Sequence, residues 1–489
     1  MIIRFPGPSG SHRNFQDSPQ VLRNLFDDLR SASPSDTLAQ CDLIGIALWL
    51  GLHASPNSQG PSQSTEISVW ENLLKAPLSE VRTELREAIR VFTQTNPTLG
   101  KALSLIVEDS LKSVGDKEIT WTLETISTLL FKSNPEDRVS LGDAYQSLFL
   151  QVRDGLEAHL SPALLGRLMV QLGRPTAEDR VYDPFAGLCG SLIESWKFVR
   201  DNAQEASNAS HPALSGCEIN QWAWARAQLL LAIFGIKATL DLADAHGHSE
   251  SPRSPTLVLS EPPIGISHEL NLSNRQAFRN RPGVGSPAVQ RHFVGVFQAL
   301  SDLEESRGRA VLVVSQRVIF GGGSVGRIRR EWVDQDILEA VITLPRGLNL
   351  PFTNLAPCLL VLNLNKMNNR RGKFVLIDAE SAGRTNSNAR FTPAIFEEKI
   401  RDIVDAFRFQ RSIPGFSIVV GENEFRSHDW DMSPARYMDA VPTVGRRVDL
   451  DLLIAEAQEL DQAALVAQQG LSDAAQRLSI RLKARDGAR

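Results

Sequence analysis

The chain has 489 residues, of which 42% are hydrophobic and 22% are charged, and this composition excludes a mainly disordered, collagen-like or disulfide-stapled protein. Its 52 basic and 57 acidic side chains give a net charge of −5. This net charge argues against a protein that binds nucleic acid through its overall charge. Any contact with nucleic acid would need a local basic face or a basic partner subunit.

Cysteine spacing and the length of apolar runs indicate which cellular compartment to expect. The four cysteines are far apart, with no CxxC pair and no nearby histidine pair, so reduced and partly buried thiols are predicted in place of disulfides or a zinc site. The longest nearly apolar run, Leu43 to Leu52, is shorter than the roughly 20 residues that span a bilayer. The first ten residues have no signal-peptide core, and we expect a cytoplasmic protein.

Residues 1–150 predict a helical domain. Apolar residues recur at helical spacing in four stretches, which begin at Leu38, Ser79, Leu99 and Trp121, and strand patterns are absent there. The polar stretch from Ala54 to Thr65 is rich in proline and serine, which predicts a mobile loop.

Residues 151–385 predict a doubly wound α/β domain. Short apolar runs alternate with helical stretches such as Gln221 to Ile236 and Val289 to Glu305, and this alternation is typical of βαβ crossovers and a mostly parallel sheet. The predicted strands are RVYD, LSGCEI, ATLDLAD, TLVLSEPP, AVLVVS, LEAVITLP and CLLVLNL.

The rest of the chain divides into an extension and a final helix. The extension, 386–447, holds a helical stretch from Ile395 to Phe409 and then an irregular segment. In 448–489, apolar residues step alternately by four and three positions from Leu453 to Leu478, which is a heptad seam. The seam predicts packing either on the N-terminal helical domain or on another chain.

Acidic residues follow three predicted strands. Asp183 and Pro184 come after the first strand and lead through a small-residue turn at Gly187 into a helix; Glu218 follows the second strand and Asp244 the third. Ligands of open α/β sheets bind at the carboxyl ends of the strands, and an acid in the position of Glu218 can accept hydrogen bonds from a ribose diol. Single acids at such positions also cap helices, but three in register indicate a ligand site.

The fourth strand ends in Glu261, Pro262, Pro263 and Ile264. Two prolines fix an extended turn whose carbonyl groups are exposed, so the turn can present acceptors to an amine. By itself the segment also fits an ordinary strand exit.

Together these segments resemble the modification subunit of type I restriction-modification systems, an N6-adenine DNA methyltransferase that uses S-adenosylmethionine. The resemblance covers about 140–440 with gaps. It implies a Rossmann-like S-adenosylmethionine-dependent methyltransferase domain. It also implies two partners, DNA and a specificity-type or other protein subunit. The C-terminal helix would contact that subunit. The motifs that carry it are VYDPFAGLCGSLIESW, LSEPPIG, VVSQRVIFGGG, ITLPRGLNLPFTNLAPCLLVLNLNK and WDMSPARY.

The resemblance assigns the catalytic role to Glu261, Pro262, Pro263 and Ile264. In the family, an Asn or Asp side chain and a proline carbonyl accept the amine hydrogens of an adenine flipped out of the duplex, and an aromatic ring stacks on the base. Here Glu261 stands where Asn or Asp is expected, and Ile264 stands where the aromatic residue is expected. The acceptor is one methylene longer, and the stacking face is missing.

The cofactor loop also departs from the family pattern. The pattern has a second glycine two residues after Gly187 and Ser or Thr before it, where this chain has Cys189 and Leu188. A β-carbon where backbone approaches a ligand predicts crowding of the methionine end of the cofactor and weak or absent binding. The residues that would bind S-adenosylmethionine are Asp183, Pro184, Gly187, Glu218 and Asp244.

Three hypotheses of function remain. The favoured one is a pseudo-methyltransferase that acts as a scaffold or DNA-clamping subunit in a DNA modification or phage-defence complex, because two separate motifs have changed. The alternative is an active N6-adenine DNA methyltransferase, since the three strand-end acids persist; methylation of another substrate is a more remote alternative.

Glycines and arginines after the predicted fifth strand have two interpretations. The run Gly321 to Gly323 lacks the trailing Gly-Lys-Ser/Thr of a phosphate loop, so it predicts a flexible turn. The nearby arginines predict either a solvent-exposed cluster or a surface that faces DNA phosphates. These arginines are Arg317, Arg327, Arg329 and Arg330.

Overall fold

The computed structural model describes residues 18–32, 36–54, 63–132, 138–149, 151–152, 163–202, 211–245, 254–263, 287–303, 307–346, 348, 356–380, 382 and 391–438. All of these lie in one compact unit that ends at Met438. The predicted heptad helix, 448–489, lies outside the described residues, as does Ile264. The predicted division of the chain at 150, 385 and 447 stays a prediction.

Helices make up the N-terminal part of this unit, as predicted. The four expected helical stretches are confirmed, but the loop prediction is wrong at both ends because Ala54 closes one helix and Gln63 begins the next. The helices are α1 Ser18–Ala32, α2 Thr37–Ala54, α3 Gln63–Lys75, α4 Val81–Phe92, α5 Pro97–Ser110, α6 Asp116–Lys132 and α7 Arg138–Phe149.

Helix α2 forms the centre of the helical part. It contacts α1, α3, α4, α5, α6 and α7, so its apolar residues are enclosed on every side. By length and composition α2 is also the one helix, within the described ranges, that could cross a membrane. Since 83% of it is buried in the protein, it has the character of a core helix.

A nine-stranded sheet in the order β3-β2-β1-β4-β5-β7-β6-β8-β9 forms the second part. Its strands are β1 Arg180–Asp183, β2 Ala213–Glu218, β3 Ala238–Leu242, β4 Leu257–Ser260, β5 Arg309–Ser315, β6 Leu338–Thr343, β7 Pro357–Asn363, β8 Phe374–Asp378 and β9 Ser417–Val420. The accompanying helices are α8 Ala163–Gly173, α9 Gly190–Asn202, α10 Gln221–Phe234, α11 Pro287–Leu303, α12 Ser324–Asp334, α13 Pro393–Arg408 and α14 Glu422–Ser427.

The predicted α/β fold class is confirmed. Strands β1 to β5 are parallel to one another, β6 is parallel to β8, and β7 runs antiparallel between β5 and β6. The seven predicted strands correspond to β1 through β7. The apolar runs do not predict β8 and β9, and β9 adds residues of the predicted extension to the edge of the sheet through antiparallel pairing with β8.

Helix α10 joins the two parts. It packs on α2, α5 and α7 on one side and on β3 on the other, and most of its residues are buried. Its indole Trp224 Nε1 donates to the carbonyl oxygen of Leu240 at 2.9 Å, which ties the helix to β3. Because α10 begins at Gln221, three residues after the end of β2, its start lies at the carboxyl end of that strand.

Candidate active site at the carboxyl ends of the strands

Strand pairing brings the predicted site segments together at one edge of the sheet. Strand β1 pairs with both β2 and β4, so the residues that follow these three strands are neighbours. The Ser260 hydroxyl at the end of β4 donates to Asp183 Oδ1 at the end of β1 over 2.5 Å. The first predicted acid is thus bonded directly to the segment that holds Glu261 and Pro262.

Asp183 is a buried carboxylate with three protein donors. Ser191 Oγ donates to its Oδ2 at 2.5 Å, and Ser260 Oγ and the Phe185 amide donate to its Oδ1 at 2.5 and 3.0 Å. Burial raises the pKa of Asp183 to about 6, against the effect of these hydrogen bonds. The carboxylate therefore stays mostly ionised at neutral pH while it joins β1, β4 and the start of α9.

Glu218 holds the loop after β1. Its Oε2 accepts a hydrogen bond from the Gly187 amide at 2.8 Å, and its Oε1 accepts one from the Asn220 amide at 2.7 Å. The side chain is half-buried. The Asn220 side chain in turn caps α10 by accepting from the amides of Trp222 and Ala223 at 2.8 and 3.1 Å.

The loop after β1 has positive φ angles at the two positions where the family pattern has glycine. Gly187 has φ +52° and Cys189 has φ +62°, a region that residues with a β-carbon rarely occupy. The Cys189 amide donates to the Ala186 carbonyl oxygen at 2.7 Å. Cys189 therefore carries a side chain at a position where the backbone favours glycine.

The Cys189 thiol is completely buried. Burial raises its pKa well above the ordinary value, and the negative charges of Asp183 and Glu218 raise it further. The thiol therefore packs in the apolar core of the protein. Leu188 beside it is also buried, at 2% exposure.

Asp244 lies on the same edge, two residues after β3, and is half-buried. Its charge acts on Cys217 near the end of β2, whose Sγ donates to the Ala243 carbonyl oxygen at 3.0 Å. Burial raises the pKa of Cys217 to about 12, and the charges of Asp241, Glu218 and Asp244 add to this rise. The structure thus places Asp183, Glu218 and Asp244 around one edge.

The turn after β4 is held by a helix that the sequence pattern did not connect with it. Glu261 and Pro262 are half-buried, and Pro263 is exposed. A β-carbon at Gly295 of α11 would lie only 2.3 Å from Cβ of Pro262. The glycine therefore allows α11 to contact the turn and fix the position of Pro262.

The prediction of an exposed arginine cluster after β5 is wrong for Arg329. Arg329 is completely buried and donates to the carbonyl oxygens of Trp430, Phe320 and Gly321. Burial lowers the pKa of Arg329 to about 10. It joins the glycine turn to the segment of the WDMSPARY motif and is not exposed to a phosphate.

The other three arginines are exposed, as are the three glycines of the turn. Arg317 lies over the ring of Phe320 at 5.7 Å, and Arg330 lies over the ring of Trp430 at 5.4 Å. Arg327 donates to Ser324 Oγ at 3.1 Å. These side chains follow β5, which is adjacent to β4 in the sheet.

The cysteines are buried and unbridged, in agreement with the prediction of buried thiols. Within the described ranges, no group of three His, Cys, Asp or Glu side chains is arranged to hold a metal ion.

The sequence model of the N-6 DNA methylase family matches residues 136–444, which is more than half of the chain. The chain belongs to the N-6 DNA methylase family. This finding confirms the resemblance drawn from the strand-end motifs, and the matched region contains all the strand-end acids and the turn after β4.

The chain is also similar to methylase subunits of type I restriction enzymes. The methylase subunit of the type I restriction enzyme MjaVII from Methanocaldococcus jannaschii is 27% identical over 412 residues, which cover 79% of this chain and 67% of the relative. The MjaVIII methylase subunit of the same organism is 24% identical, over 62% of this chain and 53% of the relative. Both matches leave a substantial part of the relative uncovered.

A solved structure confirms the fold of this chain. The methyltransferase subunit of a type I restriction-modification system from Streptococcus thermophilus superposes with a TM-score of 0.65 and 18% identity. The superposition covers 87% of this chain and 100% of that one. The combination of a helical N-terminal part with a methyltransferase-like sheet is therefore shared.

Proposed function

We propose that this protein is a type I modification-subunit-like component of a DNA modification or phage-defence complex, and that its methyl transfer is impaired. It works in the cytoplasm, associated with DNA and with at least one other subunit. Family membership and the similarity to methylase subunits of type I restriction enzymes support the proposal that the protein acts in such a complex. The positive φ of Cys189, at a loop position where the family pattern has glycine, carries the claim of impairment.

The site fits one half of S-adenosylmethionine better than the other. Glu218 is half-buried, and each of its oxygens accepts one of the two hydrogen bonds described above, which leaves further acceptor capacity for ribose hydroxyls. Asp244 lies on the same edge for the adenine side. Asp183, Pro184 and Gly187 would border the methionine end, and we infer that the strained backbone at Cys189 weakens binding of this half.

The base side supports the same proposal. An adenine amine needs acceptors at a defined distance from the methyl donor, and here Glu261 and the Pro262 carbonyl would be those acceptors. Pro262 packs against Gly295 so closely that the turn has little freedom to move back and accommodate a longer side chain. Pro263 is exposed and completes the turn, followed by Ile264 outside the described residues.

The alternative function is an active S-adenosylmethionine-dependent N6-adenine DNA methyltransferase. The position of the three strand-end acids around one edge favours it, and so does the ionised state of Asp183 at neutral pH, since its pKa is about 6 and a carboxylate can hold an ammonium group. In that case Glu261 acts as the amine acceptor in place of Asn or Asp.

The DNA contact is proposed at the surface formed by Arg317, Arg327 and Arg330, which we call the arginine surface. It is exposed and belongs to the segment after β5, next in the sheet to the strand that leads into Glu261. Guanidinium groups at such a position can bind phosphates on either side of a flipped base.

The second protein contact is proposed at the heptad seam of 448–489. A seam of about four repeats is long enough to pack against a partner helix. We assign this helix to assembly with another subunit, as the resemblance to type I modification subunits implies.

Calorimetric titration with S-adenosylmethionine tests the impairment. We expect little or no heat from the unmodified protein and a gain in affinity of about tenfold or more in Cys189→Gly, because the glycine removes the side chain and relieves the positive φ. The matched control is Cys358→Ala in β7, a buried thiol outside the loop, which should leave the affinity unchanged. A sub-micromolar dissociation constant for the unmodified protein would overturn the proposal.

A further inference from the structure

A buried ion pair joins the helical part of the protein to the sheet. Arg226 of α10 donates from Nε to Asp42 Oδ1 at 2.9 Å and from Nη2 to Asp42 Oδ2 at 2.8 Å. The two side chains are 5% and 2% exposed. A two-pronged bond of this kind fixes both the distance and the rotation of α10 relative to α2, which apolar contacts alone do not.

The surroundings of the pair are tightly packed. Tyr145 of α7 contacts α2 so closely that a β-carbon at Gly45 would lie 2.2 Å from its hydroxyl oxygen. Burial raises the pKa of Asp42, and the Arg226 guanidinium opposes this effect. Three helices, α2, α7 and α10, therefore meet at one charged contact with little space for readjustment.

A continuous series of bonds leads from this contact to the cofactor loop. Arg226 lies in α10, and α10 begins directly after Asn220, whose side chain caps it. The Asn220 amide donates to Glu218 Oε1, and Glu218 Oε2 accepts from the Gly187 amide. A shift of α10 along its axis would therefore move Glu218 and release Gly187.

We propose that Asp42 and Arg226 are positioning residues through which the N-terminal helical part sets the conformation of the loop from Asp183 to Gly190. With the pair intact, α10 keeps Glu218 bonded to the loop. When the pair is broken, the loop opens more often although the sheet stays folded. The inference rests on the proposed function only in its name for the loop, because the bonds themselves involve neither cofactor nor DNA.

Hydrogen exchange of the full-length protein, measured at the Gly187 amide, tests this inference. In Asp42→Asn the exchange of this amide should become about tenfold faster or more, while amides in β5 and β7 keep their rates. The matched control is Asp179→Asn, which breaks the ion pair of Asp179 with Arg309 at the opposite end of β1 and should leave Gly187 unchanged.

Two further variants keep the test decisive if Asp42→Asn does not fold. Arg226→Lys retains the charge but removes the two-pronged geometry, and the double change Asp42→Leu with Arg226→Met replaces the pair by apolar side chains. Both should fold and accelerate exchange at Gly187. Unchanged exchange at Gly187 in the folded variants, or an equal acceleration throughout the sheet, would overturn the proposal. Neither outcome depends on whether the protein binds S-adenosylmethionine.

Discussion

Asp183, which we propose borders the ligand site, also holds the sheet edge together through its hydrogen bonds. Its predicted position after β1 is correct, but its partners Ser191 and Ser260 lie eight and 77 positions away, and the hydroxyl of a serine gives no sequence signal of such a contact. The positive φ of Cys189, by contrast, is indicated in advance by the glycine that the family pattern has there. Local backbone demands are thus easier to predict than side-chain partners.

The raised pKa of Asp183 predicts a pH dependence of stability. The group has a pKa of about 6 in the folded protein and an ordinary value of 3.8, so the folded state retains its proton when the unfolded state has released it. The free energy of unfolding contributed by this group therefore falls as the pH rises from about 4 to about 6 and is constant above that. The fall amounts to about 3 kcal/mol.

Denaturant unfolding of Asp183→Asn against the unmodified protein, at intervals from pH 4 to pH 7, measures this contribution. Relative to the unmodified protein, the variant should gain about 3 kcal/mol across that range, because asparagine has no proton to release. Parallel stability curves for the two proteins would contradict the raised pKa.

At the scale of the elements, apolar alternation is sufficient for β1 to β7 because each strand is an apolar run between turn residues. The edge strand β9 has four residues and is only partly buried, so its signal is weak. Arg329 could have been separated from its exposed neighbours by helical spacing, since Val325, Trp332 and Val333 lie three or four positions away on the same face of α12. A count of arginines alone misses this difference.

The arginine surface predicts a salt-dependent contribution to DNA binding. Replacing Arg317, Arg327 and Arg330 together by alanine should weaken binding of a short duplex. The slope of log affinity against log salt should fall by up to about one for each DNA phosphate that the protein no longer neutralises. Fluorescence anisotropy at several salt concentrations measures both quantities.

A second triple variant controls for the change in net charge. Alanine at Arg86, Arg90 and Lys112, which are exposed on the helical part, removes the same charge elsewhere. It should retain most of the affinity and slope. Equal losses in the two triple variants would show that the arginine surface has no special role.

At the scale of the whole molecule, the fold class and the family follow from the sequence because the alternation of strands with helices and the strand-end motifs are local patterns. The way in which the helical part joins the sheet cannot be predicted from the sequence. Asp42 and Arg226 are 184 positions apart, and in the sequence each resembles an ordinary charged residue of a helix. The consequence of the changed motifs for activity depends on distances that a motif alone does not give.

Assembly through the C-terminal helix is a prediction at this scale. Deleting Asp449 to Arg489 should release a partner subunit or lower the native mass by more than the mass of the deleted segment, because the heptad seam needs a partner helix. Native mass spectrometry or light scattering of the full and shortened chains, alone and with a candidate partner, makes the comparison. A native mass that falls only by the mass of the deleted segment, with every partner retained, would show that the seam packs within its own chain.

The most direct test of impaired methyl transfer is the incorporation of labelled methyl groups into DNA by the purified protein with its partner subunit and S-adenosylmethionine. We expect no detectable incorporation by the unmodified protein, since removal of a well-placed hydrogen-bond partner costs on the order of a hundredfold in rate and removal of stacking about 1 to 3 kcal/mol per base. The double variant Glu261→Asn with Ile264→Phe should recover little, and addition of Cys189→Gly should restore incorporation. Robust incorporation by the unmodified protein would contradict the account and establish glutamate as a competent acceptor.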